Sequence, residues 1–205
     1  MAGIQLNIET WIRKGFDAYR QGLVPLIIAG VIAIVLALVT LGILAGPMMA
    51  GLVMMALGYV DNREPKPQAG DVFAGFQVFV PALLVGLIST GVMLASVALA
   101  RIPFAGPIIH LAITVAIQPY LMVALFLVAD RRKDIGAAIS EAIALVNANF
   151  VNLLVLALVA GIIGCIGLIA CGIGLIATLP IGVCVTAAAW RDFYRVSDTA
   201  RPEAQ

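Results

Sequence analysis

The sequence has few charged residues, and this scarcity decides the class of protein. Of its 205 residues, 12 are Lys or Arg and 11 are Asp or Glu. These make up 11% of the chain, against about 25% in soluble domains. Hydrophobic residues account for 63%, and the mean hydropathy is +1.12. This composition excludes a soluble enzyme, a nucleic-acid-binding protein and a disordered chain, and it predicts a multi-pass membrane protein.

Histidine and cysteine are also scarce. His110 is the only histidine, and a metal site needs several ligands that the surrounding sequence does not offer. The three cysteines, Cys165, Cys171 and Cys184, form no CxxC pair. We interpret them as small apolar packing residues. We therefore expect no metal, no cofactor and no framework of disulfide bonds.

Uncharged stretches predict where the chain crosses the membrane. They cover residues 22–60, 72–100, 102–129 and 142–190. A bilayer core about 30 Å thick needs about 20 helical residues, so the first and last stretches should each fold back as two spans. Gly46-Pro47 and Cys171-Gly172-Ile173-Gly174 supply the breaks. The six predicted spans are 22–45, 47–62, 78–100, 107–129, 150–170 and 174–191. The second span is short, so a re-entrant hairpin remains an alternative there.

The distribution of cations predicts the orientation. With a cytoplasmic N-terminus, eleven of the twelve cations fall on the cytoplasmic side, and Arg101 alone falls outside. Both termini are then cytoplasmic. The apolar run after Arg20 is about twice as long as the core of a signal peptide, so we expect it to remain as an anchor.

Three segments of the chain share a pattern. Asn7, Asp71 and Asp134 are candidate N-caps, each followed by apolar residues at spacings of four, four and three, as on one face of a helix. The apolar sets are Ile8, Ile12, Phe16 and Tyr19; Val72, Phe76, Val80 and Leu83; and Ile135, Ile139, Ile143 and Val146. This pattern predicts amphipathic helices that lie along the membrane interface before each outward span.

The turns and the span ends recur in the same order. Ala-Gly-Pro at 45–47 returns at 105–107, and Asp61, Asp130 and Asp192 end the returning spans. The predicted fold class is all-α: a polytopic membrane protein with six transmembrane helices as three hairpins, each preceded by an interfacial amphipathic helix. One integral membrane domain, 1–205, would contain pseudo-repeats at about 7–62, 71–130 and 134–193, with a polar cytoplasmic tail at 196–205.

The second unit should differ from the first. Its candidate cap lies 64 residues after the candidate cap of the first unit, whereas its Gly-Pro turn lies only 60 residues after the first Gly-Pro turn. It therefore has about one helical turn less between cap and turn. We expect its interfacial helix to merge into its span, bent but not ended at Pro81.

Two groups of polar residues in the predicted spans are candidate sites. Ser96 and His110 lie near the outer ends of neighbouring spans. A serine–histidine dyad would also need an orienting group and an oxyanion site, so a serine bonded to a backbone carbonyl is favoured. Gln118-Pro119-Tyr120 lies near the middle of span four and favours a packed kink. The alternative there is a constriction or binding site in a pore.

Asparagines and small residues also recur near the spans. Asn147, Asn149 and Asn152 favour caps and helix–helix hydrogen bonds, with a head-group or solute contact as the alternative. Gly42, Gly46 and Ala50 are spaced by four, and Gly161, Gly164 and Gly167 by three. Such rows allow close helix packing within one chain or between chains.

Residues 45–88 resemble a widespread group of bacterial membrane proteins of unknown function. The residues that carry the resemblance are Gly46-Pro47, Gly51, Arg63, Pro65, Asp71, Phe73, Gly75, Phe76 and Phe79. That group is similar to the membrane domain attached to some glycerophosphodiester phosphodiesterases. The region from Asn149 through Cys171-Gly172-Ile173-Gly174 and Pro180 to Tyr194-Arg195 resembles the same group. The resemblance implies a six-helix protein of the cytoplasmic membrane and supplies no catalytic residues.

These observations favour a non-enzymatic integral protein of the bacterial cytoplasmic membrane. It would act as a structural or interaction module in a homo-oligomer or beside another membrane protein. Its partners would be the lipid bilayer and such a protein, and no nucleic acid. The alternative is a small-solute transporter or channel subunit. None of the charged residues lies at a predicted midplane, which argues against an ion-coupled carrier.

The predicted topology can be tested by labelling. A cysteine introduced at Gln68 or at Gln205, in a background without the native cysteines, should be protected from an impermeant reagent in spheroplasts, because both positions would be cytoplasmic. Labelling at either position would refute the orientation.

Overall fold

A computed structural model describes residues 8–169 and 173–199, and its regular structure in this part of the chain is entirely helical. The α-helices are α1 (Ile8–Gln21), α2 (Leu23–Val39), α3 (Ala45–Val60), α4 (Phe79–Leu99), α5 (Gly106–Arg131), α6 (Ile135–Ala148), α7 (Phe150–Ile169) and α8 (Ile173–Thr199). A 3₁₀ helix, Ala69–Val78, directly precedes α4. An all-helical fold is therefore confirmed for the described residues.

Two helical stretches are long and apolar enough to cross a membrane. They are the 31 residues of Ala69–Leu99, which join the 3₁₀ helix to α4, and the 26 residues of α5. The pairs α1–α2 and α6–α7 also qualify if each bent pair is one span, which gives up to four candidate spans among the described residues. Ala45–Val60 is a shorter apolar helix. These lengths and compositions are those of a membrane protein.

The bends occur where the amphipathic segments meet the apolar ones. The angle is 90° between α1 and α2 and 104° between α6 and α7. In the second unit the 3₁₀ helix continues into α4 as one candidate span, so the expected merging is confirmed. Pro81 lies in the first turn of α4, where the backbone N–H that proline lacks is not needed by the helix.

The first turn lies earlier than the sequence predicted. Residues 40–44 form the connection, with Leu41 and Gly42 at positive φ. Gly46-Pro47 instead lies in the first turn of α3, and Gly106-Pro107 likewise begins α5. Proline is well suited to the first turn of a helix, so Ala-Gly-Pro starts these helices rather than breaking the previous ones. The predicted turn around residue 172 lies outside the described residues.

The predicted caps are partly corrected. Asp134 is the N-cap residue of α6, as expected, without a side-chain cap hydrogen bond. The cap of the 3₁₀ helix is Gln68, and Asp71 is three residues further on. The Asp71 carboxylate accepts a hydrogen bond from the Gln68 backbone N–H at 2.7 Å, which forms a capping box. Asn7 lies outside the described residues.

The helices pack in a cyclic order. Each predicted unit has a leading helix (α1, the 3₁₀ helix, α6), a middle helix (α2, α4, α7) and a final helix (α3, α5, α8). The 3₁₀ helix packs on α3, α6 on α5, and α1 on α8. Each middle helix contacts its own final helix and that of the unit before it: α4 contacts α5 and α3, α7 contacts α8 and α5, and α2 contacts α3 and α8. The last unit thus closes onto the first.

The leading helices bury small residues together with a few larger ones such as Trp11, Tyr19 and Val72, and they leave other apolar side chains exposed. Their buried positions include Gly15, Ala18, Gly75, Ala138 and Ala142. Their exposed apolar side chains include Ile12, Phe16, Phe73, Phe76 and Ile143. The small residues allow the close approach to the final helices. The apolar sets that the spacing singled out are therefore only partly used for packing inside the protein.

The closest approach lies between α3 and the 3₁₀ helix. A Cβ atom at Gly51 would overlap the Val72 carbonyl, and one at Gly75 would overlap the Pro47 carbonyl. Backbone lies directly on backbone at both positions, so neither site has room for a methyl group. Almost every residue of α3 is buried, because neighbours from all three units surround it.

Replacing Gly51 by alanine should therefore destabilise the protein by about 3 kcal/mol, the cost of forcing apart a well-packed interior. Gly91→Ala on α4 is the matched control, because no atom lies within 4 Å of its added methyl group. That change should be neutral or slightly stabilising. Thermal unfolding in detergent measures both, and equal melting temperatures would contradict the packing described here.

Candidate functional site

Three aspartates converge where the final helices end. Asp61 caps the C-terminus of α3, Asp130 is near the end of α5, and Asp192 lies in the last third of α8. We call this region the aspartate end. The cyclic packing brings these three helix ends together, since α3 contacts both α5 and α8. Negative charge at a helix C-terminus is unfavourable, so Asp61 and Asp130 each need a donor nearby.

Arg191 joins two of the three aspartates. Its Nε and Nη2 donate to the two Asp61 oxygens at 2.8 and 2.6 Å, and Nη1 donates to Asp130 Oδ2 at 2.8 Å. The side chains are 19% exposed for Arg191, 26% for Asp61 and 9% for Asp130. A bidentate pair at these distances is a strong, directional ion pair. One guanidinium from α8 therefore ties α3 to α5.

Two tryptophans also donate to these carboxylates, and Trp190 shares Asp130 Oδ2 with Arg191. Trp11 Nε1 donates to Asp192 Oδ2 at 2.9 Å, and Trp190 Nε1 donates to Asp130 Oδ2 at 3.2 Å. Lys14 Nζ also lies 3.3 Å from Asp192 Oδ1. The bonds to Asp192 link α1 to α8, so they close the ring between the first and last units.

A cleft of about 470 Å³ opens beside this network. Its lining residues are Lys14, Val60, Asp61, Asn62, Ala188, Arg191 and Asp192. The two cations and two acids in the lining balance, and all four take part in the ion pairs described above. Within residues 8–169 and 173–199, no group of three or more His, Cys, Asp or Glu side chains is placed to hold a metal ion. The arrangement holds α1, α3, α5 and α8 together.

The structure brings Ser96 and His110 together. His110 Nδ1 lies 3.0 Å from Ser96 Oγ, and Ser96 Oγ lies 2.8 Å from the Met93 carbonyl. When the serine hydroxyl donates to the Met93 carbonyl, its oxygen accepts from Nδ1–H, and the histidine tautomer sets which group donates in this contact. In a catalytic dyad the histidine would instead accept the serine proton. The prediction of a buried serine bonded to a backbone carbonyl is confirmed.

The polar residues of α5 and α6 meet at one point. The Tyr120 hydroxyl donates to Asn147 Oδ1 at 2.8 Å, and Asn149 is the C-cap of α6 with its amide 3.4 Å from the Leu145 carbonyl. The predicted helix–helix and capping bonds are confirmed for these two asparagines. Pro119 is buried inside α5, whereas the Gln118 side chain is exposed.

The cysteine and glycine predictions have mixed outcomes. Cys184 is free and fully buried, as expected for a packing residue. Cys171 lies outside the described residues, and so do the surroundings of Cys165 and Gly167. In the first small-residue row, Gly46 packs against the Ala82 carbonyl of α4 and Ala50 is buried, whereas Gly42 has no atom within 4 Å of an added Cβ. Gly161 and Gly164 have no atom within 4 Å of an added Cβ.

The network around Arg191 was not foreseen. The sequence showed that the three aspartates recur at the ends of the units, but it did not show which cation would reach them. The sequence did contain a signal for this network. Trp190 and Arg191, which can both donate hydrogen bonds to a carboxylate, directly precede Asp192, the third of the recurring aspartates.

Comparison with known proteins gives no relative: no protein family, no curated protein and no solved structure matches this chain.

Arg191→Leu should lower the stability by about 2–4 kcal/mol, because the nearly buried Asp130 loses a charged donor. Arg63→Leu is the matched control. Arg63 also faces Asp61, at 3.7 Å, but its side chain is 61% exposed, so its loss should cost at most about 1 kcal/mol. Melting in detergent separates the two variants, and comparable losses would show that Arg191 is only a surface charge.

Proposed function

We propose that this chain is a non-enzymatic integral protein of the bacterial cytoplasmic membrane that acts as an interaction module, in an oligomer or beside a partner protein. Six spans form three hairpins, each preceded by an interfacial helix. Both termini and the aspartate end are cytoplasmic. The resemblance of residues 45–88 to the membrane domain of some glycerophosphodiester phosphodiesterases is part of this proposal.

The orientation is supported by where the charges fall in the fold. The aspartate end carries Asp61, Asp130, Asp192 and the cations that bind them. Arg101 lies in the connection between α4 and α5, at the other end of α5 from Asp130. Cations concentrate on the cytoplasmic side of membrane proteins, which favours a cytoplasmic aspartate end.

The observation that carries the functional proposal is the packing of the interior. Apolar side chains of α3, of the C-terminal part of α5 and of the middle of α8 form most of the core, and the other described helices add buried apolar residues to it. Glycine brings backbones into contact there, as at Gly51 and Gly75. Transport requires a polar or hydrated path between helices. A closely packed apolar centre instead suits a rigid scaffold that presents its outer faces to other molecules.

The buried hydroxyls of the inner helices are isolated from one another. Tyr59 donates to the Pro67 carbonyl, and Thr186 donates to carbonyls of its own helix. Thr178 Oγ1 is buried without a hydrogen-bond partner among the described residues. Single hydroxyls of this kind do not line a path for solutes.

Cys184 provides a native probe of this interior. With Cys165 and Cys171 replaced by alanine, Cys184 should resist a water-soluble maleimide in folded protein, because its side chain is fully buried. Unfolding in detergent should expose it. A variant with Gln68→Cys as its only cysteine reports the rate at an exposed site.

The transporter alternative makes the opposite prediction. A hydrated path through the bundle would let the reagent reach Cys184 in folded protein at a rate near that of Gln68→Cys. Solute flux in liposomes that contain the purified protein would accompany it. Either result would overturn the proposal.

A further inference from the structure

Gln118 lies at the centre of a helix that can cross a membrane. It is 12 residues from Gly106 and 13 from Arg131, the two ends of α5. At about 1.5 Å per residue, it is about 18 Å from either end. If α5 crosses the bilayer, as the proposed function requires, the Gln118 amide is near the middle of the hydrocarbon core.

The Gln118 side chain points away from the packed interior. It is exposed, and its amide has no hydrogen-bond partner among the described residues. Proline at position 119 frees a backbone carbonyl one turn earlier, but Gln118 does not bond to it. An amide carries two donors and an acceptor. Leaving these groups unpaired in hydrocarbon costs several kcal/mol.

Gln118 belongs to an exposed face of α5. Thr114 and Leu111 precede it by four and seven residues, which is helical spacing for one face. Leu111 is 63% exposed, and Ile108, one turn further, is 71% exposed. The face is apolar apart from Thr114 and Gln118. A molecule that covers this face must therefore present a mostly apolar surface with one group that can form hydrogen bonds to the Gln118 amide.

A second copy of this chain has that chemistry. An amide is self-complementary, because its NH₂ group can donate to the carbonyl of an identical amide. A two-fold axis beside α5 would place each Gln118 against the other and pair the surrounding apolar residues. Lipid chains would cover the apolar residues but would leave the amide unsatisfied.

We propose that the protein forms a two-fold dimer in the membrane through the α5 face of Leu111, Thr114 and Gln118, with the two Gln118 amides hydrogen-bonded to each other. The inference rests on the proposed membrane-spanning role of α5. It names a partner for the interaction module: another copy of the same chain.

Disulfide cross-linking in native membranes tests the dimer. In a chain without its native cysteines, Leu111→Cys and Thr114→Cys should each give a cross-linked dimer on oxidation, since both residues would face their counterparts. Met93→Cys on α4 and Leu158→Cys on α7 are controls, 64% and 43% exposed in the wild-type chain. They should cross-link weakly because they lie on other faces.

Adding Gln118→Leu to the Thr114→Cys chain removes the amide and so measures how much the amide contributes to dimer formation. Cross-linking should fall about tenfold, since interhelical polar contacts in membranes are worth about that factor. Gln118→Asn, which keeps a shorter amide, should retain more of it. The melting temperature of the monomer in detergent should not change, because Gln118 does not pack inside the chain.

The outcomes separate this inference from the proposed function. Equal cross-linking at all four cysteines, or no effect of Gln118→Leu, would overturn the dimer while an unreactive Cys184 would still support the module. Fast labelling of Gln118→Cys by a water-soluble maleimide would also overturn it, because the amide would then be bonded to water. Reactivity of Cys184 itself would count against the module.

Discussion

The contact between α3 and the 3₁₀ helix constrains the rest of the fold. At Gly51 and Gly75 the two backbones touch, with no side chain between them. In a membrane, apolar burial gives little drive for helices to associate, so close van der Waals packing must supply it. This contact keeps α3 at the centre of the ring. The other final helices, α5 and α8, then pack against α3.

The ion pairs add direction to this packing. Van der Waals contact between smooth helices permits sliding, whereas the Arg191 guanidinium meets its acceptors in one geometry only. Because Arg191 bonds to Asp61 and Asp130, it fixes how far α8 is displaced along α3 and α5. Trp11 and Lys14 do the same for α1 at Asp192. The apolar interior and the polar end therefore have separate roles. The apolar interior sets the distance between the helices, and the polar end sets how far each helix is displaced along its neighbours.

Sequence patterns predicted the helices better than their contacts. Long uncharged stretches and helical spacing predicted an all-helical membrane protein, because both depend on local chemistry. Of the six predicted spans, the described residues contain two to four helices long and apolar enough to cross a membrane. Gly46-Pro47 is compatible both with a turn and with the start of a helix, because proline ends a helix and also begins one, and the sequence alone does not distinguish the two. The partner of Arg191 lies 130 residues away at Asp61, and no local pattern encodes such a pair. The sequence placed Gln118 in a packed kink, whereas its side chain is exposed, because the direction of a side chain depends on the packing of its neighbours.

The closure of the ring has a consequence for how the chain assembles during synthesis. Trp11 and its acceptor Asp192 are 181 residues apart, so the first helix meets its partner only after the last helix has left the ribosome. Until then the small-residue face of α1, with Gly15 at its centre, has no α8 to cover it. Contacts over such sequence distances form late and slowly. The contacts that close the ring therefore form after the local contacts between neighbouring helices.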